Sequence, residues 1–579
     1  MRDRTKLAAR LYFPRAPDLS SKYPLILCFY RYNLPTNNPD HLARWITRFP
    51  MLRTAAETAL SRQSNLADPL AMAPWLERVV DDGFVVGIVD IRGTGASFGI
   101  WPGPFSLQEA EDAYDVIEAL AHAPWCSGAV GLVGRSYMGA NQFGAALQRP
   151  PSLIGLFSEM APFDIYHLVH QNGVFREDFA RSWSDDIALR DNDADALPVD
   201  EDEGGWLLKA ARAQHRDNPD IFGRFRAARF RDSRCVDTGV LLYEAFNPAH
   251  HMVHGTDHGL PTYILSGWHD INSADALFYQ ATCRGPVKMV IGPWAHGGSF
   301  GIDLGEECIA WYRGLLAQSP RDQQTARTRV THYCQMSGGG PAQWYEAARP
   351  DFAVRRLAAL YLESSGEASS GRLVETMPRS QSLVGPRGAD PDATSGLSTR
   401  WSNGYGGPFG YDDLRALARA GMALTSLELQ RPLELVGTPI LELEAAETTA
   451  AVLFFFLADI HPDGFTQYVT EGALALTHRR LNSPIYNTGG RPFHRGNADD
   501  MLPAGCVTAR LCLAMMPVAW SFLTGHRIQL IVTAADRGNA ELTACRQQQF
   551  AFRCGPVGSR INLPIDTAEG TYFAIKMPP

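Results

Sequence analysis

A glycine-bounded turn around Ser136 constrains the fold of this chain more than any other stretch. Residues 129–146 read A-V-G-L-V-G-R-S-Y-M-G-A-N-Q-F-G-A-A, a short apolar run followed by a helix-like segment. Gly134 and Gly139 bracket the serine, which is typical of a strand–turn–helix unit that exposes a nucleophilic hydroxyl at the top of a sheet. The spacing G-x-S-x-x-G differs from the commoner G-x-S-x-G. A strand-to-helix turn with an incidental serine is therefore the alternative.

The residues around this turn predict a parallel sheet. Apolar runs at 25–30, 84–90 and 153–157 indicate buried strands, and residues 107–121 have the apolar spacing of a helix. Continuous apolar strands that alternate with helices are typical of a parallel sheet covered on both faces. Further strand-like runs follow at 263–266 and 287–291.

The residue pattern along the chain then changes twice. A length of 579 residues by itself favours two to four domains. Residues 165–235 are polar with helical spacing, which predicts a helical insertion. From about residue 356 short strands alternate with Gly, Pro and Asn turns, as in a sandwich or jelly roll, and 364–412 suggest a long loop. The prediction is an α/β-hydrolase domain in two parts (1–145 and 241–355), a helical cap (146–240) and a jelly-roll β-sandwich (356–579).

A serine nucleophile needs a base and an acid that orients the base. In α/β-hydrolases these follow the serine in the order acid, then histidine, each in a loop after a strand. Asp270 follows the run Y-I-L-S, and His296 follows K-M-V-I. We therefore predict Ser136 as nucleophile, His296 as base and Asp270 as orienting acid. The alternative is that Asp270 caps a helix beginning near Asn272 and that His296 is an ordinary loop residue.

Several long strings resemble one family. These are V-D-I-R-G-T-G-A-S-F-G at 89–99, P-W-C-S-G-A-V-G-L-V-G-R-S-Y-M-G at 124–139 and G-P-W-A-H at 292–296. They are similar to cocaine esterase, α-amino-acid ester hydrolases and X-Pro dipeptidyl peptidases, the CocE/NonD type. Later strings at 457–465 and 525–530 resemble the C-terminal β-domain of that family. The resemblance covers nearly the whole chain. It implies a hydrolase domain, a helical cap and a jelly roll.

The helix N-terminus after Ser136 predicts that the N–H of Tyr137 faces an oxyanion. The resemblance adds Tyr32 as a hydroxyl donor to the same oxyanion, with Tyr30 as the less favoured choice. It also shows a departure. The α-amino-acid ester hydrolases carry an acidic pair after the triad aspartate to bind the substrate ammonium, whereas this chain has Ile271, Asn272 and Ser273. Asp275 is nearby.

Two weaker features concern ligands. Trp268 and Trp294 flank the triad loops and either wall an aromatic acyl pocket as substrate-binding residues or only pack. The histidines His250, His251, His254 and His258 have spacings that suit zinc, but a solvated histidine-rich loop is the favoured interpretation. We expect no metal and no cofactor.

Composition narrows the function class. The net charge of −9 gives no basic footprint for nucleic acid, and no apolar run approaches the roughly 20 residues of a membrane span. No secretory signal pattern is visible, and ten sparse cysteines without C-x-x-C suit the cytoplasm.

We therefore expect a cytoplasmic serine hydrolase that cleaves small-molecule esters or amides through an acyl-enzyme. Nucleic acid and membrane partners are not expected, and a homo-oligomer is left open. One alternative is an X-Pro dipeptidyl peptidase. The alternative of another class is a catalytically silent protein that binds carbohydrate or protein.

Overall fold

The computed structural model describes the chain except for residues 16–20, 33–72, 192–195, 256–257, 318–327, 348–351, 353–356, 404–408, 542–547, 557 and 566–579. Its helices are α1 (Trp75–Asp81), α2 (Leu107–Ala121), α3 (Tyr137–Leu147), α4 (Ile165–Val169), α5 (Glu177–Asp191), α6 (Trp206–His215), α7 (Ile221–Ala227), α8 (Leu242–Ala245), α9 (Pro248–His254), α10 (Ser273–Thr282), α11 (Leu304–Leu316), α12 (Arg400–Asn403) and α13 (Arg415–Ala420). No helix in the described ranges is both long enough and apolar enough to cross a membrane.

The strands are β1 (Ala9–Tyr12), β2 (Tyr23–Tyr30), β3 (Val85–Asp90), β4 (Cys126–Arg135), β5 (Leu153–Glu159), β6 (His170–Gln171), β7 (Val174–Phe175), β8 (Thr262–His269), β9 (Val287–Ala295), β10 (Val330–Ser337), β11 (Gln343–Glu346), β12 (Leu357–Ser364), β13 (Ser370–Val374), β14 (Ser382–Gly388), β15 (Met422–Ser426), β16 (Leu433–Gly437), β17 (Ile440–Thr448), β18 (Val452–Ile460), β19 (Thr466–Ala475), β20 (Val507–Ala514), β21 (Val518–Phe522), β22 (Arg527–Thr533), β23 (Gln549–Cys554) and β24 (Arg560–Pro564).

The first sheet has the order β1-β3-β2-β4-β5-β8-β9-β10-β21-β16, with β11 paired to β10. From β3 to β10 neighbouring strands are parallel. Its strands are apolar on both sides because helices cover both faces. In β2, Leu27 and Phe29 enter one core cluster, whereas Ile26 and Cys28 enter the other. The parallel sheet predicted from the apolar runs is therefore confirmed.

The helices between β5 and β8 cover the edge of the sheet where β2, β4, β8 and β9 end. This insertion runs from α4 to α9 and also contains the short hairpin β6–β7. In α5, Phe179, Trp183 and Ile187 are buried at a spacing of four residues, so one face of the helix points into the protein. Apolar side chains of the insertion thus cover the carboxyl ends of the strands.

The second sheet contains the strands of the C-terminal part in the order β14-β23-β17-β24-β12-β13-β15-β22-β18-β19, with β20 paired to β17. The long loop predicted at 364–412 was wrong in part, because β13, β14 and α12 lie within it. These segments are rich in Gly, Ser and Pro, so the sequence pattern did not predict regular structure there. β14 is an edge strand, where Pro386 is tolerated because no ladder partner needs its missing N–H.

Strands from beyond residue 355 occur in both sheets. β21 runs parallel to β10 at Met336 and Ser337, opposite Trp520 and Ser521. β16 pairs antiparallel with β21 beyond it. Two strands from the C-terminal β region therefore extend the sheet that carries the candidate active site.

Candidate active site

Ser136 lies in a strained turn between β4 and α3. Its φ of 57° and ψ of −118° are rarely adopted by a residue with a side chain. The N–H of Ser136 donates to the carbonyl oxygen of Glu159 at 2.7 Å, which holds the turn against β5. A Cβ at Gly134 would lie 2.5 Å from the Cβ of Met138, and one at Gly139 would lie 3.0 Å from the Glu159 carbonyl oxygen. Strand, turn and helix therefore pack too closely at these two positions to leave room for a side chain, which explains why both are glycine.

The structure brings Ser136, His296 and Asp270 together. His296 Nε2 lies 3.0 Å from Ser136 Oγ, and His296 Nδ1 lies 2.8 Å from Asp270 Oδ1. Asp270 follows β8 and His296 follows β9, so all three residues stand where parallel strands end. A carboxylate only accepts hydrogen bonds, so Nδ1 carries the proton and the Nε2 lone pair faces the serine. This is the geometry of a Ser-His-Asp triad.

The N-cap residue of α10 is Asn272 and not Asp270, so the alternative capping role of Asp270 does not hold. Asp270 Oδ1 does accept the N–H of Asn272, the residue directly before α10, at 3.2 Å. The backbone of Asn272 and the ring of His296 therefore both donate to the same oxygen of the Asp270 carboxylate.

Arg135, which the sequence analysis did not single out, braces the histidine loop. Its guanidinium donates to the Glu159 carboxylate at 2.8 Å and to the carbonyl oxygen of Gly297 at 2.9 Å. Gly297 directly follows His296, so the residue before the nucleophile also holds the loop of the base. The only signal in the sequence was a basic residue inside the elbow.

The two predicted oxyanion donors face the same space as the serine. Tyr32 and Tyr137 both line the cavity beside Ser136, whereas Tyr30 does not. The Tyr32 Oη accepts the indole N–H of Trp183 at 2.8 Å, and burial raises the pKa of Tyr32 to about 12. The phenol therefore keeps its proton at neutral pH. The N–H of Tyr137 opens α3, where a helix has no carbonyl acceptor of its own for it.

The ring of Tyr137 is anchored by a buried carboxyl group that sequence reasoning missed. Tyr137 Oη lies 2.7 and 2.8 Å from the two oxygens of Glu109, and the Trp101 indole donates to the same carboxyl at 2.9 Å. Burial is the main cause that raises the pKa of Glu109 to about 7, and the two donors oppose this shift. Tyr137 and Glu109 lie 28 positions apart in the chain, so no local pattern marks their contact.

The cavity beside Ser136 is narrow and apolar. Its volume is about 40 Å³, the room of about three water molecules. Phe105 closes it on the elbow side, and Leu168, Phe179 and Phe225 close it from the helical insertion. Among the described residues that line it there is no Asp, Glu, Lys, Arg or His. The arrangement can accept a small uncharged group next to the nucleophile.

The structure contradicts Trp268 and Trp294 as walls of this cavity. The Trp268 side chain is fully buried and donates to the carbonyl oxygen of Cys334 at 2.7 Å. Trp294 donates to the carbonyl oxygen of Phe300 at 2.9 Å. Both residues belong to strands, β8 and β9, and each indole packs in a hydrophobic core cluster and not along the cavity. They pack in the core.

Asp275 also lies away from the cavity. Its side chain is buried, and Oδ1 accepts the backbone N–H groups of Phe163 and Asp164 at 2.9 and 2.6 Å. Its carboxylate is thus engaged in holding the chain after β5. It does not supply a negative charge to the space beside Ser136.

Within the described ranges, the histidines at 250–258 do not form a group with metal-ligand spacing. His251 instead contacts the carbonyl oxygen of Ala245, and His258 contacts Tyr279 Oη. Such a group does occur in the C-terminal part, where ligand atoms of Asp459, His461 and His526 lie within 4.8 Å of one another.

The Asp459 group is already occupied by hydrogen bonds. His526 donates to Asp459 Oδ1 at 2.8 Å, and the Trp520 indole donates to Oδ2 at 3.0 Å. An ion would have to displace these donors. We assign the group a structural role at the junction of β21 with the second sheet.

Comparisons with known proteins agree along the whole chain. Residues 3–298 match the family model described as X-Pro dipeptidyl-peptidase (S15 family). Residues 381–544 match the one described as X-Pro dipeptidyl-peptidase C-terminal non-catalytic domain. A protein of Mycobacterium bovis named as a serine esterase is 26% identical, over 98% of this chain and 94% of its own. The cocaine esterase of Rhodococcus sp. is 25% identical, over 93% and 89%.

Solved structures share the fold. A CocE/NonD family hydrolase from Staphylococcus aureus superposes with a TM-score of 0.71 at 16% identity, covering 98% of this chain and 92% of that one. An α-amino acid ester hydrolase gives 0.66 at 16% identity, covering 98% and 95%. The predicted fold class, an α/β-hydrolase domain with an inserted helical cap and a C-terminal β-domain, is thereby confirmed.

Proposed function

Because the chain belongs to the X-Pro dipeptidyl-peptidase (S15) family of serine hydrolases, we propose that it hydrolyses esters of short, uncharged carboxylic acids through an acyl-enzyme on Ser136. The family and its esterase relatives make the chain an enzyme, which sets aside a catalytically silent binding protein.

In the first step the Ser136 Oγ attacks the ester carbonyl carbon while His296 Nε2 takes the hydroxyl proton. The developing oxyanion receives the N–H of Tyr137 and the O–H of Tyr32. His296 then gives its proton to the leaving alcohol, and Asp270 stabilises the imidazolium that exists in between. A water molecule, deprotonated by His296, then attacks the acyl-enzyme, and His296 returns the proton to Ser136 as the carboxylic acid is released.

The observation that carries the substrate class is the apolar cavity beside Ser136. It offers room for about three water molecules, which suits an acyl chain of about two to four carbons. Its aromatic and aliphatic walls favour burial of such a chain by about 0.8 kcal/mol per CH₂ group.

The same cavity argues against an X-Pro dipeptidyl peptidase, which must hold the ammonium of a free N-terminus. An ammonium that is buried without a partner costs several kcal/mol. Three buried acids of the described part are committed to other partners: Glu109 contacts Tyr137, Asp275 accepts backbone N–H groups, and Asp186, which lies near Tyr32, pairs with Arg190. The family name therefore does not by itself assign that activity to this chain.

A matched pair of substrates tests the proposal. p-Nitrophenyl propionate and the p-nitrophenyl ester of alanine differ only by an amino group. At a pH where the amine is protonated, we expect kcat/KM to favour propionate by at least about 100-fold, since each factor of ten corresponds to about 1.4 kcal/mol. Acetate, butyrate and hexanoate esters should show a decline beyond butyrate. A preference for the alanine ester, or turnover of Ala-Pro p-nitroanilide at a comparable kcat/KM, would instead support amine recognition.

The serine assignment has its own control. A fluorophosphonate probe should label the wild-type protein at Ser136 and fail to label Ser136→Ala, as read by mass spectrometry of the adduct. An adduct on another serine would exclude Ser136 as the nucleophile.

We further propose a cytoplasmic location and no nucleic acid or membrane partner. The nine cysteines in the described part of the chain are all free thiols, which is compatible with a reducing compartment. Activity as a monomer or as a homo-oligomer is equally compatible with the site, because all of its residues come from one chain.

A further inference from the structure

A buried arginine of the C-terminal β region reaches the turn that carries the triad acid. Arg400 begins α12, and its side chain is 0% exposed. Its guanidinium donates to the carbonyl oxygen of Asp270 at 3.3 Å and to Ser273 Oγ at 3.4 Å. These two acceptors lie at either end of the turn from β8 into α10, so the Arg400 hydrogen bonds restrain the backbone of the triad acid.

The Asp270 carboxylate has little other support. It is fully buried, and its Oδ1 accepts from His296 and from the N–H of Asn272. Its Oδ2 has no hydrogen-bond partner among the described residues. Buried polar atoms are normally paired, so the direction of this carboxylate depends on how firmly its backbone is held.

Arg400 is itself held rigidly by the second sheet. It donates to Tyr468 Oη at 2.8 Å, and the Tyr468 ring stacks on Tyr411 with centroids 3.5 Å apart and planes 2° from parallel. Tyr411 donates to Glu471 at 2.9 Å, and Glu471 lies 3.9 Å from Arg400 Nε. The buried cation is thus compensated within its own domain. It can act on Asp270 as a fixed point.

We propose that Arg400 is a positioning residue for Asp270, so that the C-terminal β region, which the family model describes as non-catalytic, sets the geometry of the triad. This inference rests on the proposed role of Asp270 as the orienting acid. Arg400 touches neither Ser136 nor the cavity in the described contacts. Its effect passes through the turn at Asp270.

The expected signature is a loss of turnover without a loss of binding. A displaced acid leaves the apolar cavity intact, so KM should hold while kcat falls. Misplacement of a reacting group by about 1 Å can cost about 100-fold in rate, and loss of the triad acid costs about 10⁴-fold. We therefore expect Arg400→Gln to lower kcat by about 10- to 100-fold.

The experiment uses the full-length chain and p-nitrophenyl butyrate. Arg400→Gln is compared with Arg491→Gln, a buried arginine of the same β region that contacts Thr438 and the carbonyl oxygen of Thr488. The control should keep kcat and KM within about twofold of wild type. Arg400→Lys, which retains the charge but replaces the guanidinium by a single ammonium group, should show a kcat between those of Arg400→Gln and wild type.

A double-mutant cycle with Asp270→Asn separates positioning from general stability, because residues that act as one unit are not additive. If Arg400 acts through Asp270, adding Arg400→Gln to Asp270→Asn should change kcat by less than about twofold. A further 10- to 100-fold fall in that background would overturn the inference. So would an Arg400→Gln variant that behaves like Arg491→Gln.

Failure of the proposed function would look different, since Asp270→Asn alone would then keep near wild-type kcat. Should Arg400→Gln not fold, as judged by its circular dichroism and melting, Arg400→Lys carries the test. A lowered kcat at unchanged KM in that folded variant supports the inference. A wild-type kcat overturns it.

Discussion

Replacement of Tyr32 by phenylalanine removes one hydroxyl group from the candidate oxyanion site and leaves the ring. The Trp183 indole N–H points at the Tyr32 oxygen at 2.8 Å. Since the oxygen accepts from Trp183, its own proton is directed elsewhere. Burial keeps that proton on the phenol by raising the pKa of Tyr32 to about 12. Tyr32 lines the same cavity as Ser136, so its hydroxyl lies close to where the carbonyl group of a substrate would be attacked.

The size of the effect follows from what the hydroxyl contacts at each stage. Loss of one oxyanion donor costs about 10²–10³ in kcat, or about 2.7–4 kcal/mol of transition-state stabilisation. The ground-state carbonyl carries less charge and the phenyl ring remains, so KM should change little. The variant also leaves the Trp183 N–H unpaired, which should lower the free energy of unfolding by about 1–3 kcal/mol without affecting the chemical step.

Steady-state kinetics on p-nitrophenyl butyrate give the comparison. Tyr30→Phe is the matched control, because Tyr30 ends β2 two residues earlier and does not line the cavity. Its kcat should stay at the wild-type level. Trp183→Phe removes the N–H that orients Tyr32, so we expect a smaller fall in kcat, together with a change in KM because the indole ring also lines the cavity.

Two outcomes would refute this reasoning. A wild-type kcat for Tyr32→Phe beside a crippled Tyr30→Phe would move the donor role to Tyr30. Wild-type behaviour of both variants would mean that the second oxyanion donor lies elsewhere, and the transfer of the family role to Tyr32 would fail.

Three further predictions concern pH, metal and truncation. Glu109 has a pKa of about 7 in the fold against 4.5 for the free side chain, so the folded state holds its proton longer and stability falls as pH rises from about 4.5 to 7. The free energy of unfolding of Glu109→Gln should therefore exceed that of wild type by up to about 3 kcal/mol at pH 8 and differ little from it at pH 5, as measured by denaturant titration. Equal unfolding curves for the two proteins at both pH values would contradict this. EDTA should leave esterase activity unchanged, because the triad chemistry needs no metal; stoichiometric zinc whose removal abolishes activity would overturn this. A chain ending near residue 355 lacks β21 and Arg400 and should be insoluble or inactive, whereas a soluble, fully active one would show that the β region is dispensable.

The sequence was most informative where function depends on local geometry. The elbow at Ser136 needs small residues at fixed spacing, and the apolar runs before Asp270 and His296 mark the ends of buried strands. Each of these signals lies within about ten residues. A residue's position along a parallel strand also predicts which edge of the sheet it reaches. Local pattern and topology together therefore predicted which three residues would meet.

Side-chain direction and long-range contacts were beyond the same reasoning. Trp268 and Trp294 each lie two positions before a triad residue in the chain, but both indoles pack in the core and neither lines the cavity. Arg400 meets Asp270 across 130 positions, and Trp183 meets Tyr32 across 151. Such contacts leave no periodic trace in either segment. Their signal exists only in the packed fold.

The position of Arg4 shows a smaller limit of sequence reasoning. Its φ of 69° lies in the left-handed region that favours glycine, although Arg4 carries a side chain. The amino-acid type at a position therefore does not by itself predict the backbone conformation there.

The strand junction between β10 and β21 has a consequence for how the protein is made. On the ribosome, β10 emerges roughly 180 residues before its parallel partner β21, a gap of about 10–40 s at ordinary elongation rates. During that interval the nascent chain carries a complete nucleophile elbow beside an unpaired strand end at Met336 and Ser337, and unpaired strand ends invite aggregation. We expect the growing polypeptide to rely on chaperones at this stage. We also expect hydrolytic activity to arise only after translation has passed β21, so the enzyme is switched on late in its own synthesis.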